Sequence, residues 1–386
     1  MPGEIPPPKD PGNLRSFWQS VTDGFELQEL WGQFKSEARE GYALYSKDVD
    51  WDEVKKQRSG FKRWLYKCYL LFRAMLMKLT PARRVLLLVA VVLVMIHPDI
   101  QGGKHGETYS FDFVGVGAAI LFVLLALELA DRVTMKRDLE IAREIQQWLV
   151  PHTAPAVAGF DIAFATRPQN TVAGDYYDAF LRAMPGVPAE KAPLLVAVAD
   201  VAGKSVPAAL LMATFQSGLK ALASTPATLG EVVTGLDRYA RAHSLEGQRF
   251  TTAFLAEIDP RTRAMRYTNC GHNDPILRRA SGEIVRLAVG GPPLGLPLFS
   301  DDEIAYGAET VQLMPGDLLF IFTDGLVEAV NEKGDEFKES RLISSIAAAA
   351  SGSAAQILAS TMSDVNEFVG YARQHDDITA LVLRVS

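Results

Sequence analysis

The sequence predicts an α+β chain whose C-terminal part, about residues 153–386, packs antiparallel sheets under helices, preceded by a two-helix transmembrane hairpin. Three observations predict it. Two uncharged apolar runs, residues 85–96 and 113–127, stand close together in the first third. Beyond residue 151, β-rich segments bounded by Pro and Gly follow one another in series. The helical segments among them come in pairs, which points to sheets covered by helices and not to an alternating parallel wind.

The hairpin is the first element to justify. Hydrophobic residues make up 48% of the 386-residue chain and charged ones 22%, which excludes wholesale disorder. Thirty-nine Lys and Arg against 46 Asp and Glu give a net charge of -7. That balance speaks against a dedicated nucleic-acid binder, which meets phosphates with a basic domain. The charge is unevenly spread: residues 51–84 carry ten basic side chains and two acidic ones. This excess sits directly before the first apolar run, and Arg132, Lys136 and Arg137 follow the second. The intervening loop holds Asp99, Lys104, Glu107 and Asp112. By the positive-inside rule both ends are cytoplasmic and the loop is outside. Each run falls short of the ~20 residues of a spanning helix, and flanking Pro81, His97, Tyr109 and Leu129 extend them. Gly115, Gly117, Ala118 and Ala119 allow close helix approach. A pair of buried core helices is the competing reading.

On either side of the hairpin the sequence says less. Residues 1–84 read as a mostly helical cytoplasmic region with a disordered start, and 62–78 as an amphipathic surface helix or an ordinary one. The first dozen residues lack the apolar core of a signal peptide. Cys68 and Cys270 offer no disulfide framework and no Cys-based zinc site, which fits a reducing compartment. Residues 131–152 form a linker helix in which Met135, Leu139, Ala142, Gln146 and Leu149 keep the a/d spacing of a short coiled coil. Pro151 ends it.

The strands of the C-terminal part are expected at 160–166, 177–184, 194–199, 251–258, 264–268, 276–279, 284–287, 309–313, 318–322 and 378–385. Helices are expected at 208–223, capped by Ser205 with Pro207 early, and at 229–242, 339–350 and 354–371.

Four aspartates recur at apolar strand ends beside Gly or a small residue: Asp175, Asp200, Asp324 and Asp376. Each alone reads as a turn or cap. If all four converge, carboxylates ~4 Å apart repel by ~4 kcal/mol per pair at an effective dielectric near 20, which forces protonation or disrupts the fold unless cations neutralise them. Hard oxygen donors without Cys or His select Mg²⁺ or Mn²⁺. Two such ions can activate a water against a phosphoryl group. Gly203-Lys204-Ser205 fails as a P-loop because Val198 stands where Gly is required. Diguanylate-cyclase and HD-type readings leave the other aspartates or the missing histidines unexplained.

The same residues carry a family resemblance. Glu140-Ile-Ala-Arg-Glu-Ile-Gln146 with Leu149-Val-Pro151, Val172-Ala-Gly-Asp-Tyr-Tyr-Asp178, Asp200-Val-Ala-Gly-Lys204, Asn269-Cys-Gly-His272, Gly290-Gly-Pro-Pro-Leu-Gly295, Thr323-Asp-Gly325 and Asp376-Asp-Ile-Thr379 stand in the order of the SpoIIE/RsbU-type phosphatases. These are the bacterial branch of the PP2C-like (PPM) serine/threonine protein phosphatases. The resemblance covers about residues 138–386. It implies an α-β-β-α sandwich with a two-metal cluster, Mn²⁺ or Mg²⁺, at one sheet edge.

Carried over, Asp200 is the bridging ligand with the Val201 carbonyl beside it, and Asp324 and Asp376 complete the second metal's shell. Asp175 ligates the first metal, directly or through water. Asp377 replaces Asp376 if the register shifts by one. Asp200 and Asp324 are the catalytic pair. The loop Ala202-Gly203-Lys204-Ser205 is expected to shape the site only, and His272 either to touch phosphate or to be structural. The implied function is hydrolysis of phosphoserine or phosphothreonine on a regulatory protein of the STAS-type anti-sigma antagonist class. The implied setting is a bacterial inner membrane, multi-pass, with the catalytic domain cytoplasmic, membrane lipid as a partner and dimer contacts ordering the site. The alternative is a catalytically silent membrane scaffold that binds phosphoproteins.

Overall fold

The computed structural model describes residues 51, 60–96, 101–102, 109–110, 112–183, 185–186, 188, 191–243, 249–288, 290–296 and 306–386. Most of the region expected to be helical with a disordered start, residues 1–50 and 52–59, and Asp99, Lys104 and Glu107 of the loop, lie outside the described residues. The chain divides into two compact units, Met1–Arg132 and Val133–Ser386.

The first unit contains α1 (Gly60–Lys78), α2 (Pro81–Ile96), a minimal ladder of β1 (Gln101–Gly102) with β2 (Tyr109–Ser110), and the start of α3 (Phe113–Leu149). Proline at the first position of α2 suits a helix start, where its missing N–H costs nothing. Gly117 packs on Ala90: a Cβ at Gly117 would lie 2.7 Å from a Val94 methyl and 3.0 Å from the Ala90 carbonyl. The small-residue run thus does what its size permits. Arg83 reaches Asp131 and Glu128, joining the two helices at the charged end. By length and composition α3 suffices to cross a membrane. The 16 residues of α2 span about 24 Å at 1.5 Å per residue. Val85, Leu86, Val89, Val92, Phe122, Val123 and Leu125 stay exposed on these helices.

The second unit has two five-stranded antiparallel sheets. One is ordered β10 (Glu309–Gln312), β7 (Ala264–Cys270), β6 (Thr251–Ile258), β5 (Leu194–Val201), β4 (Tyr176–Leu181). The other is ordered β3 (Phe160–Arg167), β12 (Ile378–Val385), β11 (Leu318–Phe322), β8 (Ile276–Arg278), β9 (Ile284–Arg286). The strands are nearly continuous apolar runs because both faces are covered. On β5, Leu194, Val196 and Val198 join Phe254, Leu319, Ile321, Leu381 and Leu383 between the sheets. The alternate residues Leu195, Ala197 and Ala199 meet Met212, Phe215, Leu219, Val232 and Leu236 of α4 (Ser205–Ala223) and α5 (Leu229–Ala242). On the opposite outer face Phe320, Phe322, Ala380 and Val382 pack against Leu342, Ile346, Ile357, Leu358 and Val365 of α7 (Lys338–Ala349) and α8 (Ala354–Val369). The result is the α-β-β-α sandwich that the resemblance implies. α4 also has the length and hydropathy of a span, but its Ala208, Met212, Phe215, Leu219 and Ala223 are core residues of this layer.

Several boundaries differ from those expected: the strand expected at 177–184 spans Tyr176–Leu181, the one expected at 194–199 runs on to Val201, and the helix expected at 354–371 ends at Val369. Lys204, not Ser205, occupies the N-cap of α4, and no side chain closes that cap. Lys204 has the extended backbone of an N-cap (φ -137°, ψ 160°), whereas Ser205 takes a φ of 63° and does not. Thr228 and Ser353 close α5 and α8 with complete capping boxes.

Candidate active site at the sheet edge

Strand register fixes where the aspartates go. Tyr176 pairs with Ala199 and Asp200 with Thr252, which puts Asp175 and Asp200 at adjacent strand ends of the first sheet. Phe322 pairs with Ala380 in the second sheet, so Asp324 and Asp376, two residues past either end of that pairing and its neighbour Ile378, emerge at the matching edge. Asp324 opens a single helical turn, α6 (Asp324–Val327), with Thr323 at its N-cap.

Electrostatics show that the four share one environment. Asp175 is buried, and burial followed by the Asp200 charge pushes its pKa well above the carboxylate range. Burial, then the charges of Asp324 and Asp376, push Asp200 up to about 7, and Asp175 lies within hydrogen-bonding reach of it. Asp324 is raised by burial and then by Asp376. Thr323 Oγ1 donates to Asp175 Oδ2 (2.9 Å) and accepts from the Thr379 N–H (3.0 Å), so β11 holds a carboxylate of the other sheet. Val201 is buried, and its carbonyl lies 3.2 Å from where a Cβ on Gly174 would sit, beside the Asp175 loop.

The final aspartate pair divides its work. Asp377 accepts the backbone N–H groups of Gln169 and Gly174, each at 2.6 Å, and so fastens the Asp175 loop. Asp376 instead meets Lys204 Nζ at 3.0 Å. Lys204, expected only to shape the loop, supplies a counter-charge to the cluster. Gly325 is packed against the segment just before β12: a Cβ there would collide with the Asp377 carbonyl oxygen. His272 is 3% exposed; its Nδ1 meets Thr252 Oγ1 at 3.1 Å, and burial lowers its pKa to about 4. It is therefore held as an interior side chain, which favours the structural role.

Gln146, near the end of α3, makes a two-pronged contact: its Nε2 donates to the Ala173 carbonyl (2.6 Å) and its Oε1 accepts the Ala173 N–H (3.0 Å). It grips the backbone two residues before Asp175. The heptad spacing marked Gln146 but not this role.

Among the described residues no three carboxylate, imidazole or thiol groups close tightly enough to hold one ion. The donor chemistry nevertheless fits hard divalent cations: four carboxylates and a backbone carbonyl, with the buried members carrying a charge burden that Lys204 partly offsets.

Residues 190–386 match the sequence family described as Stage II sporulation protein E (SpoIIE). The chain is 27% identical over 251 residues to phosphoserine phosphatase RsbU of Bacillus subtilis (strain 168), covering 65% of this chain and 70% of that protein. It is 25% identical over 286 residues to protein IcfG of Synechocystis, covering 67% of this chain but only 43% of that relative. Among solved structures it resembles the SiaA-PP2C domain of Pseudomonas aeruginosa, with a TM-score of 0.57 at 21% identity over 67% of this chain and 99% of that one. It also resembles the RsbU and RsbW domains of Rv1364c from Mycobacterium tuberculosis, with a TM-score of 0.50 at 24% identity over 61% and 63%. These two likenesses establish a PP2C-like fold.

Proposed function

The chain belongs to the SpoIIE family of PP2C-like serine phosphatases, and from that premise we propose that it is a membrane-anchored, metal-dependent protein phosphatase acting on phosphoserine or phosphothreonine. The observation that carries this reading is the convergence of Asp175, Asp200, Asp324 and Asp376 at one edge of the two sheets. Asp200 and Asp324 are the catalytic pair, and Asp175, Asp200, the Val201 carbonyl, Asp324 and Asp376 would hold two Mn²⁺ or Mg²⁺ ions. When bound, these ions supply charge neutralisation at phosphorus and an activated water. Asp377 keeps the Asp175 loop in place, Thr323 orients Asp175, and the apolar strands below exclude water from the back of the site.

In this reading residues 1–84 are an N-terminal cytoplasmic region, 85–130 the membrane hairpin, 131–152 a signalling linker and 153–386 the phosphatase domain. The exposed apolar faces of α2 and α3 support the anchor, and the inner membrane of a bacterium is its place. The substrate is a phosphorylated regulatory protein of the STAS-type anti-sigma antagonist class, and a second copy of the chain completes the assembly.

The test is direct. Purified chain hydrolyses p-nitrophenyl phosphate and a phosphoserine peptide with Mn²⁺, loses this with EDTA, and loses it in Asp200→Asn. Phosphopeptide binding without hydrolysis would mean a silent scaffold. Retention in the membrane fraction after carbonate wash tests the anchor, and release into the supernatant refutes it.

A further inference from the structure

Beside the carboxylate edge lies a cavity of about 110 Å³ walled by Arg167, Lys204, Glu328, Arg373, His375 and Asp376. A water occupies ~30 Å³, so a carboxylate with a water or two fits. Asp376 belongs both to this wall and to the aspartate cluster. The cations differ in their commitments. Lys204 is tied to Asp376. The Arg167 guanidinium rests on a neutral amide, the Asn366 Oδ1, while its Nε is buried without a hydrogen-bond partner. Burial lowers the Arg167 pKa, the mark of a cation short of counter-charge. The position is also held firmly. Arg167 pairs with Ile378 in register, and Gln374 Nε2 donates to both the Arg167 carbonyl (2.8 Å) and the Asp376 carbonyl (2.6 Å). Glu328 opposes an anion on one side of this cavity, and Arg167, Lys204 and Arg373 outnumber the Glu328 and Asp376 carboxylates in its wall.

Outside residues 51–84 the chain carries a net charge of -15, so an acidic substrate segment is repelled by most of the molecule. A guanidinium seeking counter-charge at the edge of the site stands out against that field. Because Asp376 lines the cavity and also acts on Asp200, cavity and cluster adjoin, and a peptide advances ~3.8 Å per residue from one to the other.

We propose that this cavity is a specificity subsite in which Arg167 receives a carboxylate side chain of the phosphoprotein, one or two residues from the phosphorylated serine or threonine. The assignment rests on the phosphatase reading above, and the experiment separates the two. Phosphoserine peptides differing only in Glu, Ala or Lys at each of the two positions on either side are offered to the full chain with Mn²⁺, beside p-nitrophenyl phosphate. At one position Glu is preferred over Ala by about tenfold in kcat/KM, carried mainly by KM, the size of one charge-assisted hydrogen bond. Arg167→Gln brings that ratio close to one, Arg167→Lys retains part of it, and Arg167→Glu turns the preference towards Lys. Equal kcat/KM for all peptides at every position, or a Glu preference that survives Arg167→Glu, overturns the subsite. If p-nitrophenyl phosphate is still hydrolysed in that case, the phosphatase reading stands without it. No turnover of any substrate removes both.

Discussion

Thr323 and Asp175 come from different sheets, yet the Thr323 hydroxyl donates to the Asp175 carboxylate at 2.9 Å. Both side chains are buried, and the same hydroxyl accepts the Thr379 N–H. One side chain therefore sets the separation of the two sheets at the edge where the aspartates meet. Thr323→Val keeps the shape and removes both bonds. The expected cost is about 1–3 kcal/mol for the buried groups left unpartnered, read by denaturant unfolding, together with reduced turnover. An unchanged unfolding midpoint would mean that this cross-sheet bond is idle.

The metal-free protein should lose stability as pH rises. Asp200 has a folded pKa of about 7 against ~3.9 when unfolded, so its favourable contribution is complete below pH ~4 and is lost as pH climbs through about 7. Asp175, raised in the same sense, adds to the trend. Melting temperatures measured in EDTA between pH 4 and 8 should fall across that window, and Asp200→Asn should flatten the fall. Added Mn²⁺ should restore the loss at pH 8, because binding needs the deprotonated ligands. A melting temperature in EDTA that rises between pH 5 and 8 would contradict the whole electrostatic account.

Lys204 competes for Asp376. Both partners of this pair are about half exposed, so the interaction is worth only ~0.2–1 kcal/mol. Lys204→Met should tighten Mn²⁺ binding by about two- to fivefold in a calorimetric titration, since it removes a rival cation. Weaker binding would show that Lys204 instead supports the site.

Gln146 is the place where the long helix meets the catalytic loop. Gln146→Ala strips both the N–H and the carbonyl of Ala173 of their partner. A stability loss of about 1–3 kcal/mol is expected, along with a higher Mn²⁺ concentration for half-maximal turnover, since Asp175 follows two residues later. Identical Mn²⁺ dependence in mutant and parent would confine Gln146 to a structural part.

Much of the fold was legible because its signals are local. The apolar stretches of β6, β11 and β12 end where polar or turn residues begin, and their observed limits are the expected ones. α5 likewise carries its own capping box. The order of elements pointed to antiparallel sheets under helices, but not to which strands pair, since β3 with β12, β12 with β11 and β11 with β8 join segments far apart in sequence. The aspartates were visible as types at strand ends, but their neighbourhood depends on register between segments up to two hundred residues apart. Lys204 and Asp376 show why such contacts escape a linear reading: nothing near either residue points to the other. Gln146 was hidden differently, since its heptad position had an adequate explanation of its own. The cap of α4 was misplaced because Ser205 takes a positive φ that its residue type does not advertise, which leaves the extended N-cap position to Lys204.

The tight seat of Gly325 has a consequence for reading natural variation. A single methyl added there would collide with the carbonyl of Asp377 and wedge apart the two segments that present Asp324 and Asp376. An allele with alanine at 325 keeps every acidic group and still displaces the segments that carry them, so a survey that scores only acidic positions would file it with the parent sequence.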